Sequence, residues 1–190
     1  LSYNEAMELA YFGAKVIHPQ TMAPAVRKSI PIWIRNTFAP EKAGTLICEK
    51  PISQIAVKGI TCIDRVSLVN LEGAGMIGVP GTAHRLFGAL RDHGISVILI
   101  SQGSSEHSIC FAIPEGEAAR AETVVRQAFD RELREGQIHS VEVTPNCSIL
   151  AVVGDGMAGS HGVAAKVFGA LGTAGVSVRA IAQGASERNI

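Results

Sequence analysis

The apolar and polar positions of this 190-residue chain repeat along the sequence with a constant offset. The segment from Gly73 to Ile109 returns as the segment from Gly154 to Ile190, 81 residues later and without a gap. Roughly half of the paired positions are identical, which is far more than shared composition produces. The pattern therefore predicts two copies of one structural module.

Each copy has the pattern of a strand, a helix and a second strand. A run rich in apolar and β-branched residues, at 66–71 in the first copy and 148–153 in the second, predicts the first strand. A glycine-rich turn follows, and then apolar residues at helical spacing predict a helix that ends at Gly94 in the first copy. The predicted second strands are 95–100 and 176–181.

The first copy continues beyond this point. A strand at 108–113, a helix from Pro114 to about Leu133 and a short strand at 141–143 complete the order βαββαβ. This order is typical of a ferredoxin-like α+β sandwich, with an antiparallel sheet and helices on one face. Two upstream strands, at 30–36 and 45–48, are expected to complete the sheet of the second copy, so that the first copy is an insertion in the second.

The first 18 residues predict a single helix of a different origin. Ser2 and Glu5 form an S-x-x-E capping box, and Gly13 marks the end of the helix. The sequence opens with Leu1, and it stops at Ile190 where an apolar strand is expected. We therefore expect a segment of a longer protein.

Composition excludes several classes of function. Apolar residues make up 47% and charged residues 18%, and 17 basic side chains balance 17 acidic ones. A neutral chain lacks the basic footprint of a nucleic-acid binder, and no apolar run approaches the roughly 20 residues of a membrane span. We expect no nucleic-acid partner, no membrane association and a cytoplasmic location. The four cysteines lack the spacing of a metal site, so we expect buried, reduced thiols: Cys48, Cys62, Cys110 and Cys147.

The glycine-rich turns suggest two alternative ligands. Both match G-x-G-x-x-G, with glycines at 73, 75 and 78 and at 154, 156 and 159. A dinucleotide site also needs an acidic residue at the end of the next strand, where this chain has Gln102 and Gln183. The favoured alternative is a free amino acid: the turn and the helix N-terminus would face its carboxylate, and the glutamine amide its other polar groups. Glycines within the predicted helices are expected to allow close packing: Gly81, Gly88 and Gly169.

Several motifs in the same order resemble the regulatory region of aspartate kinases, and most closely that of the bifunctional aspartokinase–homoserine dehydrogenases. The opening LSYNEAMELAYFGAKVIHP resembles the segment that closes the kinase domain. AGTLI at 43–47, with alanine where proline is usual, and VKGI at 57–60 resemble elements leading into the first ACT domain. SQGSSEHSI and VVGDGM…AIAQGASERNI resemble the bifunctional enzymes in particular.

The resemblance implies tandem ACT domains with the following boundaries. Residues 1–29 would be the end of the kinase domain and a linker, and 30–52 would be strands that complete the second ACT domain. Residues 53–144 would form the first ACT domain, and 145–190 the second, truncated at its C-terminal end.

The resemblance also implies function. The chain would be non-catalytic and would mediate feedback inhibition by threonine, or alternatively by lysine, without a cofactor of its own. The parent enzyme would use ATP with Mg²⁺ and NAD(P), and would form a homodimer through its ACT domains. The other partners of the ACT domains would be the kinase and dehydrogenase domains of the same chain. The implied effector-binding residues are Gln102, Gly75, Met76, Ile100 and Ser101 in the first copy, and Gln183, Gly156, Met157, Ile181 and Ala182 in the second.

Overall fold

The structure, a computed structural model, describes residues 1–53, 55–103 and 107–190. The chain divides into two compact units. Leu1–Ile63 and Ile149–Ile190 form one, which we call the split unit, and Asp64–Ser148 form the other, the inserted unit. The sequence of the first copy's unit is therefore an insertion in the sequence of the other unit.

The described residues form these helices and strands, in chain order. The helices are α1 (Tyr3–Tyr11), α2 (Pro19–Arg27), α3 (Thr82–Asp92), α4 (Ala118–Ala128), α5 (Asp130–Arg134) and α6 (Val163–Thr173). The strands are β1 (Ile32–Ile34), β2 (Thr45–Ile47), β3 (Gly59–Glu72), β4 (Leu99–Gln102), β5 (Ser108–Pro114) and β6 (Ser140–Val153). Short 3-10 turns occur at Ala74–Met76, Glu115–Glu117 and Asp155–Met157.

The inserted unit has the predicted ferredoxin-like fold. Its strands lie in the order β4-β5-β3-β6, and β5 pairs antiparallel with both β3 and β4. Phe111 at the centre of β5 lies opposite Val69 on one side and Ile100 on the other. The βαββαβ prediction for the first copy is confirmed.

The core of the inserted unit lies between this sheet and its helices. Phe111 is fully buried, as are Leu86 and Leu90 on α3 and Val125 on α4. The apolar spacing of the two helices places these side chains on one face, which buries them against the alternating apolar residues of β3 and β5. Burial of each large apolar side chain contributes about 1.5–3 kcal/mol.

The two upstream strands do not join the four-stranded sheet, so the prediction that residues 30–52 complete the second copy is wrong. β1 and β2 pair antiparallel with each other and form a separate two-stranded sheet. Ile47 instead packs with Tyr3 and Ala6 of α1 and with Met22 of α2 in a small core of the split unit. Ile32 and Ile34 of β1 also pack against that core.

Residues 55–63 lie beside the first strand of the second copy. The Lys58 N–H donates to the Val153 carbonyl at 2.8 Å, just as the His139 N–H donates to the Glu72 carbonyl at 2.8 Å in the first copy. Lys58 lies 81 positions before His139, and Val153 lies 81 positions after Glu72. This distance is the offset of the repeat. The last strand of the second module therefore precedes its first strand in the chain.

The prediction of a strand at 176–181 is also wrong, because this segment has no regular strand structure. Among the described strands of the first copy, β4 pairs with β5 alone. Asn189 and Ile190 correspond to the start of β5, and Ile190 exchanges two backbone hydrogen bonds with Val152. A strand needs a neighbouring ladder, and 176–181 has none among the described residues.

The prediction that the helix glycines serve close packing is wrong, and a turn glycine makes the close contact instead. A Cβ atom on Gly88 or Gly169 would meet no atom within 4 Å, so these helix glycines do not serve close packing. Gly81 lies before α3, with a left-handed φ of 88°. A Cβ on Gly75, in contrast, would lie 2.5 Å from the Gln137 side chain.

The cysteines are more exposed than predicted. Cys62 is exposed, and Cys48, Cys110 and Cys147 are partly exposed free thiols. Cys110 lies between the buried Ile109 and Phe111 of β5, and alternation places it towards the other face of the sheet. Burial, with a smaller contribution from Cys147, raises the pKa of the Cys110 thiol, which keeps it protonated at neutral pH.

We expect Gly75→Ala to lower the free energy of unfolding by about 1–3 kcal/mol, because the new methyl group must displace Gln137 from the turn. Gly88→Ala is the matched control, and its free energy of unfolding should rise by about 0.5–1 kcal/mol because α3 has open space there. Urea denaturation of the two variants measures both changes. Equal effects of the two substitutions would contradict the packing role of the turn glycine.

Candidate functional site

A cavity of about 330 Å³ opens in the inserted unit between the turn that precedes α3 and the end of β4. Gln102 lines it from the strand side. The other lining residues are Met76, Gly78, Val79, Pro80, Gly81, Thr82, Ala83 and Ile109. None of these side chains is ionisable, so the cavity offers dipoles and apolar contacts to a ligand.

The N-terminus of α3 forms one wall of this cavity. Gly81 is its N-cap residue, and no side chain caps the helix there among the described residues. The Thr82 hydroxyl instead donates to the Val79 carbonyl at 3.1 Å and closes the turn. The first N–H groups of a helix have no partner within the helix and carry a partial positive charge, so this wall suits an anion.

Gln102 is the last residue of β4 and forms the opposite wall. It lies opposite Ile109, and residues paired in an antiparallel ladder project from the same face of the sheet. Ile100 shares that face and is 47% exposed. Ser101 lies opposite Cys110, which places its side chain on the other face. The structure therefore brings Gln102 to the cavity and directs Ser101 away from it.

The 3-10 turn supplies the floor through Met76, which is buried and lines the cavity. The N–H of Gly75 donates to the Gln137 carbonyl at 2.9 Å and is therefore already used. Gly75 shapes the turn by its contact with Gln137. Of the residues predicted for the first copy, Met76 and Gln102 line this cavity, whereas Gly75, Ile100 and Ser101 are not among its described lining residues.

The second copy repeats the turn that precedes the helix. Gly162 precedes α6 with a φ of 81°, again without a side-chain cap among the described residues, and Met157 is buried. The carboxylate of Glu187 accepts a hydrogen bond of 2.9 Å from the Gly159 N–H. The protein itself therefore places an anion on this turn.

The other predicted residues of the second copy surround that turn less closely. Gly156 packs against the backbone of Ala56, which corresponds to Gln137 in the first copy. Gln183 and Ile181 are exposed and Ala182 is half-buried, all within the segment that lacks regular strand structure. Their assignment to an effector site stays a prediction.

Sequence reasoning missed the part of the turn between the glycines. Val79, Pro80 and Thr82 line the cavity, but the second copy has Ser160, His161 and Val163 at these positions. Comparison of the two copies selects positions with identical residues. These three positions differ between the copies and were therefore not selected. Their place between a left-handed glycine and a helix start is the signal that could have identified them.

The structure does not support the dinucleotide alternative. That fingerprint belongs to a parallel sheet in which the strands before and after the helix are neighbours, whereas β3 and β4 are separated by β5, which is antiparallel to both. A Cβ on Gly73 would collide with the backbone of Gln137 and Ile138, so protein already fills the space that a pyrophosphate would approach.

Metal-binding clusters and membrane-spanning helices are both absent from the part of the chain that the structure describes. Among the described residues, no group of three or more His, Cys, Asp or Glu side chains could hold a metal ion. Likewise, none of the helices in the described part of the chain has both the length and the apolar character required to cross a membrane.

Comparisons with known proteins agree with this geometry. The family model described as ACT domain matches residues 69–129 and 150–190, which together are more than half of the chain and fall on both copies. The bifunctional aspartokinase/homoserine dehydrogenase 1 of Zea mays, a chloroplastic protein, is 51% identical over 100% of this chain and 21% of its own length.

Two solved structures show the same architecture. Clostridium acetobutylicum aspartate kinase, described as an allosteric enzyme, superimposes with a TM-score of 0.86 at 30% identity and covers 100% of this chain and 43% of its own. Aspartokinase III of E. coli in complex with lysine and aspartate, in its T-state, superimposes with a TM-score of 0.74 at 31% identity over 100% of this chain and 41% of its own.

The chain spans about a fifth of the maize relative and about two fifths of the two aspartokinases. Both copies match the family model, and the whole chain aligns with aspartokinases in sequence and in structure. The chain therefore belongs to the ACT domain family, in the paired form found in aspartokinases.

Proposed function

We propose that this chain is the regulatory segment of an aspartokinase fused to homoserine dehydrogenase, and that it binds free threonine as a feedback inhibitor. The observation that carries the proposal is the position of Gln102 across a cavity from the N-terminus of α3, which no described side chain caps. The whole-length similarity to the maize bifunctional enzyme supports the choice of parent protein.

The two walls of the cavity suit the two charged ends of an amino acid. The α-carboxylate would accept hydrogen bonds from the N–H groups that follow Gly81, where the helix dipole is favourable. The α-ammonium would donate to the carbonyl oxygen of the Gln102 amide. A short side chain would contact Met76 and Val79, and the volume of about 330 Å³ is at the small end of the range for small-molecule sites.

In the second copy, a bound ligand would replace Glu187 as the hydrogen-bond acceptor at the turn. A ligand carboxylate at the N-terminus of α6 would compete with Glu187 for the Gly159 N–H. Because the bond to Glu187 must break first, binding at this copy should be accompanied by a local conformational change of the segment that carries Glu187.

Metabolite sensing suggests a dissociation constant of about 0.1–1 mM, which corresponds to about 4–5.5 kcal/mol. Only the difference between the affinities of the active and inhibited states can drive inhibition. The regulatory effect available from each site is therefore a few kcal/mol at most.

The parent protein would phosphorylate aspartate with ATP and Mg²⁺ and would reduce aspartate semialdehyde with NAD(P)H, in domains outside this segment. It would act in the cytoplasm and would form a homodimer through its ACT domains. The maize relative is named as chloroplastic, so the compartment is a separate question for each organism.

Lysine is the alternative effector. The E. coli aspartokinase III structure contains lysine and aspartate, and it resembles this chain over the whole length of this chain. The described lining of the cavity favours threonine because it contains no acidic side chain to pair with a second ammonium group.

We expect Gln102→Ala to weaken threonine binding at the first copy about 10- to 100-fold, because hydrogen bonds to charged groups contribute about 1.5–3 kcal/mol. Isothermal titration calorimetry of the full-length protein measures the change. Gln127→Ala on α4, also an exposed glutamine of the inserted unit, is the matched control and should bind as the wild type does. Unchanged affinity in the Gln102 variant would exclude its proposed role.

A comparison of ligands tests the class of effector. We expect heat of binding with threonine at about 0.1–1 mM and none with lysine at the same concentrations; any NADH binding, which the dehydrogenase domain would supply, should be the same in the wild type and in Gln102→Ala. Binding of lysine alone would assign the chain to the lysine-sensing class, and loss of NADH binding in Gln102→Ala would contradict amino-acid sensing at this site. A wild-type protein that binds no free amino acid would indicate a purely structural pair of domains.

A further inference from the structure

Helix α1 is joined to the second copy by a buried carboxylate. Glu5 is 1% exposed, and its two oxygens accept from two backbone N–H groups. One oxygen accepts from Ser2 at 2.8 Å and completes the cap of α1, and the other accepts from Asp155 at 2.8 Å. Both partners belong to the split unit, and a single side chain therefore connects the start of α1 to the start of the 3-10 turn.

A second contact from the same helix reaches the other end of the second copy's sequence. Glu8 accepts a hydrogen bond of 2.7 Å from the Asn189 side chain. Glu5 and Glu8 are three positions apart and so project from the same face of α1. Asn189 is two residues beyond Glu187, whose carboxylate caps Gly159.

The second copy differs from the first at the positions that make these contacts. Asp155 and Asn189 of the second copy correspond to Ala74 and Ser108 of the first. Arg188, which forms an ion pair of 3.2 Å with Asp155, corresponds to His107. The residues that flank the candidate site have therefore diverged towards charged and amide side chains in the copy that contacts α1.

We propose that Glu5 and Glu8 couple α1 to ligand binding at the second copy, so that this copy transmits the inhibitory signal to the domain that α1 belongs to. The inference rests on the proposed function, in which residues 1–29 close the kinase domain. Asp155 directly precedes the candidate-site residues Gly156 and Met157. A ligand that displaces Glu187 from Gly159 moves the segment that carries Asn189, and this movement reaches α1 through Glu8. A ligand that contacts Gly156 or Met157 moves the adjacent Asp155, and this movement reaches α1 through Glu5.

Full-length protein with substitutions at the second contact tests the coupling. Glu8→Ala removes the acceptor, and Asn189→Ser introduces the residue of the first copy. Threonine binding is measured by calorimetry, the response of α1 by hydrogen–deuterium exchange of residues 3–11, and inhibition by the aspartokinase assay. We expect both variants to bind threonine, to lose the threonine-dependent change in α1 exchange, and to need about fivefold or more threonine for half-inhibition.

Two matched substitutions separate coupling from general damage. Ser108→Asn makes the reciprocal exchange in the first copy, and Glu142→Ala removes an exposed carboxylate of β6. Both should be inhibited as the wild type is. Glu5→Gln, which can accept from only one of the two N–H groups, should show the same loss as Glu8→Ala where it folds.

The outcomes distinguish the two levels of the proposal. Glu8→Ala and Asn189→Ser proteins that bind threonine and are inhibited within twofold of the wild type would overturn the coupling and leave the proposed function intact. A wild-type protein that binds no threonine would overturn the proposed function, and the coupling with it.

Discussion

The close contact between the glycines of each turn and the neighbouring chain segment is the constraint on which the rest of the structure depends. Gly73 and Gly75 touch the backbone and side chain of Gln137, and Gly154 touches the backbone of Ala56 at the equivalent place. No residue with a Cβ atom allows so close an approach. The contact holds the 3-10 turn in place, and the turn determines where α3 and α6 begin. The candidate site is therefore built on the turn, and its ligand-facing N–H groups come from the residues after it.

Much of the fold could be predicted because the repeat and the hydrophobic period agree. The constant offset identified the module, and alternation in β3 and β5 with helical spacing in α3 indicated the ferredoxin-like order. Local pattern could not show which strand is the neighbour of which. The strand at 30–36 was expected in the wrong sheet because apolar alternation is the same in any sheet, although the 81-residue offset also relates Lys58 to His139.

The site was predictable in part for a similar reason. Gln102 and Met76 could be identified because both copies retain them, and both line the cavity. The role of Gly75 could not be predicted. A glycine that binds a ligand and a glycine that packs against the chain have the same sequence pattern, and only the structure shows that Gly75 packs against Gln137. Helix α2 was missed as well: Pro19 at its first turn is a favourable start signal, but Pro24 inside the helix hides the pattern.

Duplication followed by divergence accounts for the differences between the copies. The cavity of the first copy has no ionisable side chain among its described lining residues. The second copy joins α1 through Asp155 and Asn189, where the first copy has Ala74 and Ser108. One backbone design can thus bind a ligand in both copies and add a transmitting task in one of them, because the residues beside the turn are free to change.

A crystal structure of the full-length protein with bound threonine tests the central claim most directly. The account predicts the threonine carboxylate within about 2.7–3.2 Å of the N–H groups that follow Gly81 and its ammonium at the same distance from the Gln102 amide oxygen. Threonine bound elsewhere, with this cavity empty at saturating concentration, would contradict it.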